Sequence, residues 1–334
     1  MTAGTRDDAP VAAQFRRRAD DFERGGSALY ARLAREIAGD PVLEEICGAR
    51  GSSWDAPLAL FGGVHLLALE GEEPDPWSRL PEVLRAHRAR LARFVAEEPV
   101  QTNEVQRAWG LLPGFLSAGA PVLDLVELGP SAGLNLLWDR WGYRYPAGSW
   151  GADDAPLKLH GEAEGGPPAE LLELRPLVRR RLGIDRAPVD VRDDAAALRL
   201  QAFVWADQEE RLARLRAALE VARREPPELV AGDYLEELPR VLAARAPDAL
   251  TVVFHSASTA YLSPEDRARL AGIVEEVGAE APLAWLSYEH AGDDVDGTIG
   301  FETFALDLRV WPGGERRRLA RLDGHGNRLR WLGP

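Results

Sequence analysis

The sequence predicts an α/β fold: a helical N-terminal domain over residues 1–118, then a mostly parallel, doubly wound sheet over 119–334 that closes with an antiparallel hairpin. Three observations lead there. Apolar residues recur at helical spacing through residue 118, and nothing in that half alternates like a strand. At 121 the texture changes: the apolar run "PVLDLVELG" passes through glycines into "SAGLNLLWDRWG", a strand–turn–helix pattern. Four further apolar runs then end in polar residues and are separated by helical segments, the signature of alternating α/β units.

The helical segments are expected at 10–24, 27–38, 40–47, 57–70, 80–97 and 102–118. Leu29, Leu33 and Ile37 form one stripe, and Leu84, Leu91, Phe94 and Val95 another. Asp40 followed by Pro41 is a good helix start. In the second half, "RRLGIDRAPVDV" supplies a strand ending at Asp185, "PELVAGDYL" one ending at Gly232-Asp233, "DALTVVFHSAS" one ending at His255-Ser256, and "PLAWLSYEH" one ending at Glu289-His290. Helices are expected at 205–224, 234–245 and 264–277. "FETFALDLRVW" and "ERRRLARLDGHGNRLRWL" read as two strands joined by the turn Pro312-Gly313-Gly314. The Gly- and Pro-rich region 143–170 reads as a loop or small insertion.

The chain has 334 residues, 46% hydrophobic and 28% charged, and a formal charge of −14. That balance argues against non-specific binding to nucleic acid or to a membrane surface. Arg triplets at 16–18, 179–181 and 316–318 are read as solvated faces. Cys47 is the single cysteine, so an intrachain disulfide is excluded and a reducing cytoplasm fits. The N-terminal residues do not read as a secretion leader. The longest strongly apolar run, 58–69, is too short to cross a bilayer and holds His65. The expectation is a cytoplasmic protein with a small-molecule substrate, without nucleic-acid or membrane partners.

The stretch "VELGPSAGLN" at 126–135 carries two readings. Gly129-Pro130-Ser131-Ala132-Gly133 matches G-x-S-x-G, the serine-hydrolase elbow, with Ser131 as nucleophile and Asp233 and His255 or His325 as later partners. That fold needs strands before its elbow, and here helices precede it. "FGGVH" at 61–65 resembles an oxyanion loop only in composition. The other reading is a nucleoside-type cofactor lying on a glycine loop. Gly129 and Gly133 let backbone approach the ligand, and ligands of open α/β sheets sit outside the carboxyl ends of the strands. Glu127 faces a ligand ammonium, Asp185 accepts from two ribose hydroxyls, Asp233 accepts from an adenine amine, and His255 and Ser256 flank the reacting group. The alternative for each acid is an ordinary turn residue at a strand end.

Residues 121–334 resemble the class I S-adenosylmethionine-dependent methyltransferases through Glu127, Gly129, Ser131 and Gly133 in the first loop, Asp185 after the second strand and Asp233 after the third. The resemblance implies a Rossmann-like sheet, S-adenosylmethionine as cofactor, and these six residues as its binding set. Ser131 stands where the family has its central glycine, and the stretch from the loop to Asp185 is longer than the family's. Nearly the whole chain also resembles a bacterial family catalogued as domain of unknown function 2332, through "QTNEVQRAWGLLPGF", "VELGPSAGLNLLWDRWGYRY", "LGIDRAPVDV", "LVAGD", "VVFHSASTAYL" and "HGNRLRWL". That resemblance implies no activity; it implies that both halves form one unit.

Further candidates remain open between structure and chemistry. Thr102 or Asn103 caps the helix that follows, or Asn103 and Glu104 reach the substrate. His65 is a core histidine or a substrate-facing base. Asn135 and Asp139, four apart on the expected helix, share a face as a surface pair or as substrate ligands. His255, Glu289 and Glu104 are the candidate bases for a methyl acceptor, and His325 a candidate substrate contact. "FHSAST" lacks the Asn/Asp-Pro-Pro-Tyr pattern of nucleobase amino methyltransferases. No metal site is expected: H-E-x-x-H is absent, "GDDVDG" at 292–297 misses the ligand positions of a calcium loop, and the lack of a cysteine triad excludes an iron–sulfur cluster. The expected activity is methyl transfer to a small-molecule or side-chain oxygen or nitrogen in a cleft between cap and α/β domain. A serine hydrolase at Ser131 and a non-catalytic nucleoside-binding protein are the alternatives.

Overall fold

The computed structural model describes residues 10–51, 53–101, 103–292 and 302–333. In chain order the helices are α1 (Pro10–Arg24), α2 (Ala28–Ile37), α3 (Val42–Cys47), α4 (Ala56–Leu69), α5 (Leu80–Ala86), α6 (Arg88–Glu97), α7 (Arg107–Ser117), α8 (Ala169–Leu172), α9 (Asp194–Ala202), α10 (Glu209–Arg224), α11 (Tyr234–Ala243) and α12 (Pro264–Glu280). The strands are β1 (Val122–Leu128), β2 (Gly142–Tyr145), β3 (Gly148–Trp150), β4 (Lys158–His160), β5 (Glu162–Glu164), β6 (Leu177–Asp185), β7 (Glu228–Ala231), β8 (Leu250–Ser256), β9 (Leu283–His290), β10 (Phe304–Trp311), β11 (Arg317–Leu322) and β12 (Arg328–Trp331). The chain divides into two compact units. One holds residues 1–102 with 192–213, the other 103–191 with 214–334.

In the first unit, α1 turns Val11, Phe15, Ala19 and Phe22 to one buried face. α4 is apolar all round and buried over most of its length, so it forms the centre of its unit. "FGGVH" lies inside it. Ser27 caps α2 by accepting from Tyr30 N at 3.1 Å. The expected helix 80–97 is two helices broken at His87, whose Nε2 bonds Glu73 Oε1 at 2.9 Å. Residues 192–213 return to this unit, which sequence periodicity did not reveal. The indole of Trp205 packs on Phe22 at 5.2 Å, and Asp207 Oδ1 accepts from Ser27 Oγ at 2.6 Å.

The second unit is built on a nine-stranded sheet of order β5-β12-β11-β10-β9-β8-β1-β6-β7. The five strands β7, β6, β1, β8 and β9 run parallel, then β10, β11 and β12 alternate in direction and β5 lies parallel to β12. This is a Rossmann-like α/β sheet that closes in antiparallel strands. From β1 the chain steps outward through β6 to β7, then crosses to β8 and β9 on the other side. The winding direction therefore reverses between β1 and β8, the place where such sheets leave a crevice at the strand ends.

Register decides which side chains share a face. Glu127 stands beside Gly183 on β6 and Phe254 on β8, Phe254 beside Leu286, and Ser256 beside Tyr288. α7 packs on this face: Phe115 meets Phe254 edge-on at 5.0 Å, Gly110 makes room for the side chains of Tyr288 and Leu322, and Gly114 for that of Leu286. The opposite face carries Val126, Leu128, Ile184 and Val253 and is covered by α11 and α12 through Leu235, Leu238, Leu242, Leu270 and Val274. Asp233 caps α11 and Ser263 caps α12.

Three expectations change here. The segment after the glycine loop is not an α-helix: Leu134–Arg140 is a 3-10 turn with a non-helical Leu137. Such turns are tighter than an α-helix, so a four-residue spacing no longer shares a face. The region 143–170 holds strands: β2, β3 and β4 form a small sheet, and β5 adds to the edge of the large one. The terminal run 315–332 is two strands, because Gly324 to Asn327 turn the chain back. There Asp323 Oδ1 accepts from Asn327 N at 2.8 Å and Arg328 N at 3.0 Å. Of "GDDVDG", the residues after Gly292 lie outside the described residues, as does Thr102. No helix among the described residues is long and apolar enough to cross a membrane.

Candidate functional site at the β1–β8 switch

The loop leaving β1 is held by its neighbours. Gly129 and Gly133 have φ of 71° and 72°, and Ser131 a φ of 52°. A Cβ on Gly129 would lie 2.8 Å from Ser258 Cβ, and one on Gly133 2.6 Å from Pro227 Cγ. Both glycines are therefore required by backbone conformation and by protein contacts alone. Asp185 stitches the loop to the end of β6: Oδ2 accepts from Ser131 N and Oδ1 from Ala187 N, both at 2.8 Å. Asn103 does not cap α7. Its Nδ2 donates to Ser131 Oγ at 3.0 Å, and its Oδ1 accepts from Ala132 N at 3.3 Å.

Glu127, at the end of β1, is buried with 3% of its surface exposed. Burial pushes its carboxyl up to about 8, and the nearby Asp185 charge pushes the same way. A side-chain hydrogen bond with Asn135 and the Arg107 charge oppose them. Among the described residues nothing hydrogen-bonds Glu127 Oε2 or Asn135 Oδ1. Asp139, the other half of the expected pair, turns elsewhere and bonds Arg181 Nη2 at 2.5 Å. The 3-10 turn thus sends Asn135 to Glu127 and Asp139 to β6.

Arg107, in the first turn of α7, and Glu104, just ahead of that helix, both lie near Tyr288 on the same face. Arg107 is buried; its Nε donates to Gly324 O at 2.8 Å, and its Nη1 lies 3.4 Å from Ser256 O and 3.5 Å from Ser256 Oγ. Glu104 Oε1 accepts from Gln106 N at 3.1 Å and lies 4.0 Å from Arg214 Nη2. His325 sits half-buried in the β11–β12 turn that receives the Arg107 bond.

His255 and Glu289 belong to the opposite face, because consecutive strand residues alternate. The expectation that His255 and Ser256 flank one reacting group is corrected by this pleat: Ser256 joins Glu127, whereas His255 joins Leu128. Trp285 Nε1 donates to His255 Nε2 at 3.0 Å, which leaves Nδ1 as the protonated nitrogen. Nδ1 donates to Glu289 Oε1 at 2.7 Å, and Oε1 also accepts from Ser258 N at 2.9 Å and Thr259 N at 3.2 Å. These bonds hold the Glu289 carboxyl below the usual carboxylate range although burial opposes them. Both ring nitrogens of His255 are occupied. Asp233 is engaged twice, accepting from Leu235 N at 2.9 Å and from Arg186 Nη2 at 2.6 Å. His65 is buried in the other unit, its Nδ1 2.9 Å from Val204 O and 3.2 Å from Ala202 O, the geometry of a core histidine.

The sequence reading missed Arg107 and Trp285. Arg107 carries no local signal, and Trp285 reads as one more apolar strand residue. Among the described residues no group of three or more His, Cys, Asp or Glu is arranged to hold a metal ion. No curated protein matches the chain. The model of a bacterial family described as an uncharacterized protein conserved in bacteria (DUF2332) matches residues 12–331, and the chain belongs to that family.

Proposed function

We propose that the protein is an S-adenosylmethionine-dependent methyltransferase whose cofactor lies over the carboxyl ends of β1 and β6, on the face that holds Glu127. The carrying observation is Glu127: a buried carboxyl at the topological switch, with one oxygen unpartnered among the described residues and its ionisation disfavoured by burial. A phosphate-binding loop would exclude an acid there; a ligand ammonium would supply the missing partner. Asp185 uses one lone pair on each oxygen for backbone, so each retains one for a ribose hydroxyl. The Asp233–Arg186 pair is solvent-exposed on the Arg side, so an adenine amine can displace it at little cost.

When bound, the cofactor supplies an activated methyl group to an in-line nucleophile. The chain's contribution is alignment and exclusion of water. Of the three candidate bases, Glu104, which precedes α7, is the one near Tyr288 on the Glu127 side, and it receives the acceptor's proton in this reading. His255 then positions Glu289, which braces the β8–α12 connection. Calorimetry with S-adenosylhomocysteine and full-length protein tests the cofactor assignment. The expected result is micromolar binding, weakened by Asp185→Ala. Absence of binding for both S-adenosylmethionine and S-adenosylhomocysteine defeats the proposal. Binding without cofactor consumption across oxygen and nitrogen acceptors points instead to a non-catalytic nucleoside-binding protein.

One observation favours the serine-hydrolase reading, the φ of 52° at Ser131, a strained turn like that of a nucleophile elbow. Against it, β1 is the first strand among the described residues, so no earlier strand supplies an oxyanion loop, and "FGGVH" is helical. Covalent labelling of Ser131 by a fluorophosphonate would revive it.

A further inference from the structure

We propose that Arg107, with Ser256, forms a carboxylate subsite on the Glu127 face, so that the switch region takes an α-amino-acid head group as a zwitterion. The ammonium goes to Glu127 and the carboxylate to the guanidinium. The inference extends the cofactor reading above and rests on it for the nucleoside, but it concerns a residue that reading does not use.

Arg107 is a buried cation. Its side chain lies at the first turn of α7 with 8% of its surface exposed. Buried charges are normally paired with an opposite charge. Arg107 has two backbone carbonyls and one hydroxyl as its partners, and among the described residues no carboxylate oxygen lies within 4.0 Å of it. Among the described residues, Nε is committed to Gly324 O, whereas Nη1 makes only long contacts to Ser256 and Nη2 makes none. The outer edge of the guanidinium, Nη1 with Nη2, therefore keeps the paired N–H groups that match a carboxylate. Ser256 Oγ is an acceptor in its contact with Arg107, which leaves its own hydrogen to donate to the same anion.

The neighbours select the class of anion. Glu127 and Asp185 approach the same strand ends, and their carboxyls disfavour a dianionic phosphate. A carboxylate that brings its own ammonium is neutral overall and satisfies Glu127 and Arg107 together. The bonds to Gly324 and Ser256 also fix the guanidinium between the β11–β12 turn and the end of β8, so the fork is oriented before a ligand arrives.

The test varies the ligand as well as the protein. The probes are S-adenosylhomocysteine, its analogue lacking the carboxylate, and 5′-methylthioadenosine, which lacks the whole amino-acid end. Wild-type full-length protein should bind S-adenosylhomocysteine about 10- to 100-fold more tightly than the decarboxylated analogue, the size expected of one charge-assisted pair. Arg107→Met should bind those two equally, and its affinity for 5′-methylthioadenosine should match wild type within about twofold. Arg107→Lys, which keeps the charge without the fork, should fall between. Equal binding of the two amino-acid ligands by wild type overturns the subsite while leaving the nucleoside assignment standing. If no nucleoside binds, glycine and L-methionine are the remaining probes: a rise in wild-type Tm that Arg107→Lys reduces supports the subsite, and no rise overturns it.

Discussion

Replacing Glu127 with Gln keeps the shape of the side chain and fixes it in the neutral form that burial prefers. The folded carboxyl is pushed up to about 8 from an ordinary value of 4.5, chiefly by desolvation. Between those values the folded chain holds a proton that the unfolded chain has lost. Stability is therefore full below the lower value and declines as pH rises through the upper one. The wild-type penalty is about 3 kcal/mol at pH 7 and about 5 kcal/mol by pH 9. Glu127→Gln removes that penalty and retains an acceptor for Asn135, so it should be more stable than wild type by similar amounts, with no gain at pH 4. The assay is urea unfolding of both proteins at pH 4, 7 and 9, where other titrating groups cancel in the difference. Because the chain has two compact units, amide exchange of β1 and β8 reads the affected unit directly. A difference that does not grow with pH, or a variant less stable than wild type at pH 9, refutes the desolvated carboxyl. The same variant should bind the cofactor more weakly, since a site that keeps a charge buried for a ligand sacrifices stability for it.

Other expectations follow from the same geometry. Gly129→Ala should cost about 2 kcal/mol or more in denaturant unfolding, because φ is positive and the new Cβ meets Ser258; a neutral result would mean the loop is looser than described. In nitrogen-detected NMR, His255 should carry its proton on Nδ1, and Trp285→Phe should relax that preference by removing the donor to Nε2. Asp233→Ala should lose about 1 kcal/mol as a removed helix cap, seen as a lower urea midpoint. Ser131→Ala should leave turnover largely intact, and its complete loss in a folded variant would restore the nucleophile reading.

Much of the sheet was legible because its parallel strands are short apolar runs stopped by Gly, Asp or Glu. Those stops place Glu127, Asp185 and Glu289 at one edge in sequence and in structure alike. The consequence of the pleat went unread: His255 and Ser256 are adjacent on a strand, so only one of them can accompany Glu127, yet both were expected at the reacting group. The return of 192–213 to the helical unit was not legible, since it depends on long-range packing of Trp205 and on Asp207 bonding Ser27. The 3-10 turn at 134–140 was hidden because Leu134, Leu137 and Trp138 satisfy helical spacing equally well. Arg107 was hidden for a different reason. In sequence it looks like any surface arginine, and only its burial and, among the described residues, its three neutral partners set it apart.

Proton release on cofactor binding reports the Glu127–ammonium pairing itself. At pH 7 a carboxyl with its midpoint at about 8 is mostly protonated, and pairing it with a ligand ammonium expels that proton, close to one per site. Calorimetric titration of S-adenosylhomocysteine in buffers of different ionisation heat should show about 0.9 proton released at pH 7 for wild type and none for Glu127→Gln. Buffer-independent heats for wild type, or equal release by the variant, would contradict the placement of the ligand's amino group at Glu127.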